Sequence, residues 1–176
     1  MLVLAIWIKC DSKGPVFYRQ MRVGRNNRDF RLYKFRSMCV GSDKKGLITI
    51  GGHDPRVTRS GYFIRKYKLD ELPQLINVFA GDMSLVGPRP EVRKYVDMYT
   101  PEQMHVLDVR PGITDMASIR YRNENELLEQ ADDPDRYYVD VIMQDKLRLN
   151  LEYVRRHSFG FDIKLIFQTF REIIKK

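Results

Sequence analysis

The residue types best suited to chemistry lie in "KLDELPQLINVFAGDMSLVGPRPE", residues 68–91, where Asp70 and Glu71 stand side by side ahead of Pro73, and Arg89 is held between Pro88 and Pro90. Neighbouring residues on a helix point about 100° apart, so the two carboxylates would divide the labour rather than share a proton. At the positive end of a helix dipole a carboxylate stays ionised, which suits a nucleophile or a metal ligand rather than a general acid, and Glu71 could hold Mg²⁺ through oxygen. The same helix amides would also welcome a phosphate. A carboxylate attacking phosphorus meets repulsion from the phosphate oxygens, and proteins counter it with Mg²⁺ and arginine. Arg89 offers a planar bidentate fork with little conformational entropy left to lose. Lys34, Arg36, Arg59 and Arg65 are further candidates for phosphate contact. Plainer readings stand beside these: an Asp-Glu pair also serves as an ordinary helix cap, and an arginine between prolines as an ordinary surface turn.

These side chains need elements to position them. Leu72, Leu75, Ile76 and Phe79 follow the i, i+3, i+4, i+7 spacing of an amphipathic helix, which Gly81 closes. Pro73 is tolerated in a first turn, so this helix is expected to start near Asp70. A preceding helix is expected from Ser60. "GPVFYRQMRVG" and "DFRLYKFRSM" read as the strands of a hairpin around Arg25–Arg28. Residues 41–56, with four glycines and an Asp-Pro, read as a loop that could close over a ligand. Beyond the Gly-Pro-Arg-Pro turn the chain suggests a polar helical stretch, a second turn at "RPGIT", a charged helix around 124–130 and a break at Asp133-Pro134. A stripe of Ile163, Ile166, Phe167, Phe170, Ile173 and Ile174 predicts a C-terminal helix, packed on the core or lying on a membrane surface. The N-terminal run from Leu2 to Ile8 falls short of the roughly 20 apolar residues needed to cross a bilayer. It reads as a strand, a core-helix turn or the tail of a longer apolar segment.

The 176 residues fit one domain, and a net charge of +8 predicts attraction to something anionic: nucleic acid, phospholipid or a phosphorylated substrate. Cys10 and Cys39 lack CxxC spacing, and His53, His105 and His157 belong to no HExxH or Cys/His pattern, so neither a disulfide framework nor structural zinc is expected. A basic nucleic-acid-binding module is the rival suggested by the Arg/aromatic mixture of residues 17–36. It lacks an RNP sequence, a zinc pattern or a basic heptad helix, so no nucleic-acid partner is expected.

"GPVFYRQMRVGRNNRDFRLYKFRSM", "DPRVTRSGYFIRKYKLDELPQLINVFAGDMSLVGPRPE" and "RPGIT" together resemble the bacterial sugar transferases, the monotopic phosphoglycosyl transferases that begin assembly of capsule, lipopolysaccharide O-antigen and exopolysaccharide. The resemblance runs in order from Leu2 to the C-terminal helix. It implies transfer of a sugar phosphate from a nucleotide sugar, usually a UDP-sugar, to polyprenol phosphate at the cytoplasmic face of the bacterial inner membrane. It further implies Asp70 as the nucleophile of a covalent phosphosugar intermediate, Glu71 as its partner in Mg²⁺ binding, and Arg89 in phosphate contact. Residues 1–9 would be the second half of a re-entrant N-terminal membrane segment, and residues 10–176 the catalytic domain. "RPGITDMASIRYRNENELL" carries Asp115 where many members have glycine, in a region implied to set sugar specificity. The expected fold is α+β: a predominantly helical single domain with a small antiparallel β-hairpin and amphipathic membrane-surface helices. A catalytically impaired membrane-surface fragment of such a transferase is the alternative reading of the same resemblance.

Overall fold

The basic and aromatic stretch after Val16 folds as the hairpin its alternation predicts, β1 (Phe17–Val23) pairing antiparallel with β2 (Asp29–Phe35). The connection is a short 3₁₀ turn, Arg25–Asn27, with Asn26 and Asn27 at φ of 55° and 59°, a left-handed conformation that asparagine tolerates. The computed structural model describes residues 1–42, 46 and 54–174. Most of the loop read over 41–56, His53 and the final two lysines therefore lie outside the described residues.

Strand alternation gives the hairpin two different faces. One carries Phe17 and Phe35, whose rings stack with centroids 5.5 Å apart, and forms a core with Ile8 and Ile64. Those two residues come from α1 (Leu2–Asp11) and α2 (Arg59–Lys66). Thr58 caps α2 by accepting from the Gly61 amide at 3.0 Å. A Cβ on Gly61 would stand 2.0 Å from the Ser37 carbonyl oxygen, so only glycine lets the helix approach the chain leaving β2. The N-terminal apolar run is thus a helix, with Ile8 its single buried residue, while Leu2 and Val3 stay exposed.

The other hairpin face carries Gln20, Arg22 and Lys34, of which Arg22 pairs with Glu91 and Lys34 with Glu71, while α3 (Gln74–Ala80) lies along the edge of β2 and ends at left-handed Gly81 as expected. Asn77 anchors this helix: its Oδ1 accepts from the Tyr33 amide at 3.0 Å and its Nδ2 donates to the Arg31 carbonyl at 2.8 Å. The helix is inside out. Gln74 and Asn77 are buried, whereas Leu72, Ile76 and Phe79 face outward, Phe79 with 90% of its surface exposed.

Beyond α3, β3 (Ser84–Val86) pairs in parallel with β4 (Gly112–Thr114). "RPGIT" is therefore half strand rather than a plain turn, because its Gly112 fits against the backbone of residues 86–87, where a Cβ would come within 2.1 Å of the Gly87 nitrogen. Short helices follow: α4 (Arg93–Val96), α5 (Met116–Arg120), α6 (Glu124–Glu129) and α7 (Pro134–Tyr137), the last capped by Asp133. A π-turn at Tyr138–Ile142 leads into α8 (Met143–Arg156), a long helix that the motifs had not flagged. Tyr138, Ile142, Met143 and Leu147 pack with Val92, Tyr95 and Leu128 into the main core.

The predicted C-terminal stripe is α9 (Phe159–Ile174), and it splits. Leu165 and Ile166 pack against Val86 and Tyr153, while Phe167, Phe170 and Ile174 remain exposed. Among the described residues no helix is long and apolar enough to cross a membrane. The architecture is α+β, mostly helical, with amphipathic helices presenting apolar faces outward.

Candidate active site

Asp70 and Glu71 do not begin α3. The chain leaves α2, turns through Lys68 in a left-handed conformation (φ 56°), and forms a separate 3₁₀ turn over Leu69–Glu71 before Pro73 leads into α3. The expectation that Asp70 sits at the positive end of that helix is corrected accordingly. Left-handed Lys68 separates the turn from α2, and Pro73, which has no N–H to donate back into the turn, separates it from α3.

Glu71 points at the hairpin and the Gly-Pro-Arg-Pro turn. Arg89 clamps it with both guanidinium arms, Nη2 to Oε1 at 2.5 Å and Nη1 to Oε2 at 3.1 Å, and Lys34 Nζ lies 3.5 Å from Oε1. Burial pushes the Glu71 carboxyl up, but Arg89, Lys34 and Lys68 outweigh it and hold the group well below the usual carboxylate range. Glu71 in turn keeps the Arg89 guanidinium firmly protonated.

Asp70 has the opposite environment. It is 7% exposed, and its Oδ1 is buried with no hydrogen-bond partner among the described residues. Burial raises its carboxyl above the ordinary value, with Lys34 pulling the other way. The helix-dipole argument for a plainly ionised Asp70 therefore fails, since desolvation dominates. The result is a desolvated carboxyl group with one oxygen left without a donor, an environment that favours its neutral form and leaves its carboxylate, when formed, poorly solvated.

A cavity of about 780 Å³ opens over this cluster. Glu71 and Arg89 line it together with Arg22 and Gln20 from the hairpin, and α5, α6 and α9 close the far side. Leu69 and Leu72 line the wall, whereas Asp70 between them does not.

Of the expected basic residues, Lys34 and Arg89 are brought onto Glu71, and Arg65 lies close enough to Asp70 to favour its charged form. Arg36 and Arg59 are not brought in. The Arg36 guanidinium is spent on backbone carbonyls of Ile8, Ser12, Lys13 and Pro15, at 2.6–3.3 Å, and so closes the end of α1. Arg59 is exposed at the start of α2, where its charge favours ionised Asp11. Asp115 is fully buried and does not reach the cavity, although Ser118, Tyr121 and Arg122 from the same region do.

Sequence reasoning missed Arg22 and Lys68. Arg22 shares the face of Lys34, so two-residue alternation from Lys34 leads to it; it donates to the Pro90 carbonyl at 3.0 Å and pairs with Glu91 at 3.5 Å. Lys68 carried no readable signal, because left-handed lysine is not a pattern.

The donor set bears on Mg²⁺. Among the described residues no three acidic, histidine or cysteine side chains gather into a cage. Mg²⁺ commonly takes only one or two protein carboxylates and completes its shell with phosphate oxygens and water, so the unpartnered Asp70 Oδ1 beside Glu71 fits it.

Comparison with known proteins decides the family. The model of the family described as "Bacterial sugar transferase" matches residues 1–176. The chain belongs to the bacterial sugar transferases. It is 42% identical, over 99% of its length, to the UDP-N-acetylgalactosamine-undecaprenyl-phosphate N-acetylgalactosaminephosphotransferase of Aeromonas hydrophila. It is 39% identical over 98% of its length to the UDP-glucose:undecaprenyl-phosphate glucose-1-phosphate transferase of Escherichia coli K12, and 39% identical over 95% to the uncharacterized sugar transferase EpsL of Bacillus subtilis. It spans 39%, 36% and 74% of those three relatives respectively.

Proposed function

We propose that this sugar transferase moves a sugar phosphate from a nucleotide sugar, of the UDP class, to polyprenol phosphate, and so starts a bacterial surface glycan. Asp70 would attack the sugar-bearing phosphorus, forming an aspartyl phosphosugar as the bond to the bridging oxygen breaks and UMP departs. A polyprenol phosphate oxygen would then attack the same phosphorus, freeing Asp70 and leaving a polyprenol diphosphate sugar. The observation that carries this reading is the pairing of opposites in adjacent residues: a buried, donor-starved carboxylate at Asp70 beside Glu71, whose charge is saturated by Arg89 and Lys34.

The Arg89 fork matches a phosphate as well as it matches a carboxylate, so a donor diphosphate can displace Glu71 from one or both arms. Mg²⁺, held by Asp70 and Glu71 with the donor phosphates, would supply charge neutralisation at the reacting phosphoryl group. Arg89 donates to both Glu71 oxygens, and as its fork turned to substrate Glu71 would be left freer to hold the metal.

Exposed Leu72, Ile76 and Phe79 border the carboxylate turn, and exposed Phe167, Phe170 and Ile174 lie on α9, whose Phe170 also reaches the cavity. Together they support work at a lipid surface, on the cytoplasmic face of the inner membrane, where a polyprenol tail would lie. Residues 1–9, exposed over most of α1, would join that surface as part of the family's membrane segment.

The test is release of UMP from a panel of UDP-sugars with polyprenol phosphate. Asp70→Asn is expected to lower turnover by roughly 10³-fold or more, as removal of a covalent nucleophile does. Because burial favours the neutral form of Asp70, the fold loses stability as this group ionises, and the same variant should melt no lower than the parent at neutral pH. Undiminished turnover in a folded Asp70→Asn protein removes Asp70 from the mechanism.

A further inference from the structure

Proline has no amide hydrogen, so Arg89 supplies the single N–H of the run Pro88-Arg89-Pro90. That N–H donates to Asp115 Oδ2 at 3.0 Å. The other oxygen of the same carboxylate accepts from the Ser118 amide at 2.5 Å and so caps α5. Flanking bonds, Gly87 N–H to Thr114 O at 3.0 Å and Gly112 N–H to Pro88 O at 3.1 Å, press the turn onto β4.

A cap alone does not call for a wholly buried carboxylate. Serine or asparagine caps a helix as well as aspartate, without the cost of desolvating a full charge. The second oxygen is what aspartate adds, and it is spent on Arg89.

The geometry points to Asp115 as a positioning residue for Arg89: it fixes the arginine backbone beside β4, so that the guanidinium exchanges Glu71 for a donor phosphate by rotating its side chain alone. Its role in turnover rests on the transferase reading above. Asp115 does not line the cavity and touches Arg89 through the main chain, so it acts on the reaction through Arg89.

Asp115→Ser keeps a capping oxygen for Ser118 and removes the acceptor for Arg89. Asp115→Asn keeps the cap and turns an NH₂ toward the Arg89 N–H, which provides a second variant should the first fold poorly. Deuterium exchange in the intact protein reads the effect directly, because a fragment spanning residues 88–90 holds one exchangeable amide. Exchange there should quicken by about tenfold or more in both variants, since the amide loses its buried acceptor. Unchanged protection overturns the proposal, whether or not the protein turns over any donor.

In the UMP-release assay, Asp115→Ser should lower kcat on the order of 10- to 100-fold, the range that misplacing a binding group costs. In an Arg89→Ala background the same substitution should cost nothing further, because its effect runs through Arg89. An equal added loss in that background refutes the coupling. Absence of UMP release from every donor in the parent protein would instead sink the transferase reading and leave the exchange result standing.

Discussion

Lys34 is the site cation whose charge changes nearest to neutrality. Burial brings its ammonium down to about 8 against the pull of Glu71. If charged Lys34 helps hold Glu71 in place, turnover should fall along an alkaline limb centred near pH 8. Lys34→Arg, which stays charged, should move that limb upward, and a pH profile of UMP release checks it. Stability runs the other way. The folded state gives up this proton near 8 and the unfolded chain near the ordinary lysine value of 10.5, so between those values the unfolded state binds more protons. The melting temperature of the parent relative to Lys34→Met should therefore rise across that window. The local costs meet at one place: left-handed Lys68 and Asp70, with an unpartnered oxygen, in the turn, and the desolvated ammonium of Lys34 on β2 facing it. Such local costs persist where a site needs them and the surrounding packing holds them in place.

At the scale of elements, α3 is the joint between hairpin and site. Asn77 lends it both halves of an amide to the exposed edge of β2, so Asn77→Leu leaves the Tyr33 amide and the Arg31 carbonyl unpaired. A loss of about 2–6 kcal/mol is expected in urea unfolding, about 1–3 kcal/mol for each of the two groups left without a partner. This element also shows what can be read from a sequence. The periodicity of Leu72, Leu75, Ile76 and Phe79 correctly gave a helix closed at Gly81, because period depends only on local geometry. It did not say which face is buried, and here Gln74 and Asn77 point inward. The hairpin and α9 were legible for the same local reason. By contrast β3–β4 pairing, the π-turn before α8 and the role of Arg36 depend on partners far along the chain. Among the candidate site residues, Asp70, Glu71, Arg89 and Lys34 converge, while Arg36 is drawn to backbone carbonyls whose need for a donor no sequence pattern shows, and Arg59 stays exposed at the start of α2.

For the molecule as a whole, a net charge of +8 coexists with apolar side chains turned outward on α1, α3 and α9. Both would favour an anionic bilayer, one by attraction over a Debye length and the other by burial. Replacing Leu72, Ile76 and Phe79 together by serine should weaken binding to vesicles containing anionic lipid on the order of 100-fold or more, at roughly 1.5–3 kcal/mol per fully buried side chain. Because none of the three belongs to a core cluster, the melting temperature should hold, and flotation paired with a thermal melt checks both. Equal flotation of parent and variant would place the docking face elsewhere.

The interlocked glycines of the short parallel sheet have a bearing on how the chain acquires its working form. The hairpin and its turn are built from near neighbours in sequence, whereas Gly87 meets Gly112 only after the intervening segment has looped back. Loop closure delays such pairings relative to local ones. Arg89, two residues past Gly87, is therefore expected to settle against Glu71 only once that pairing has closed, so a nascent chain would lack the clamp until β4 has been made.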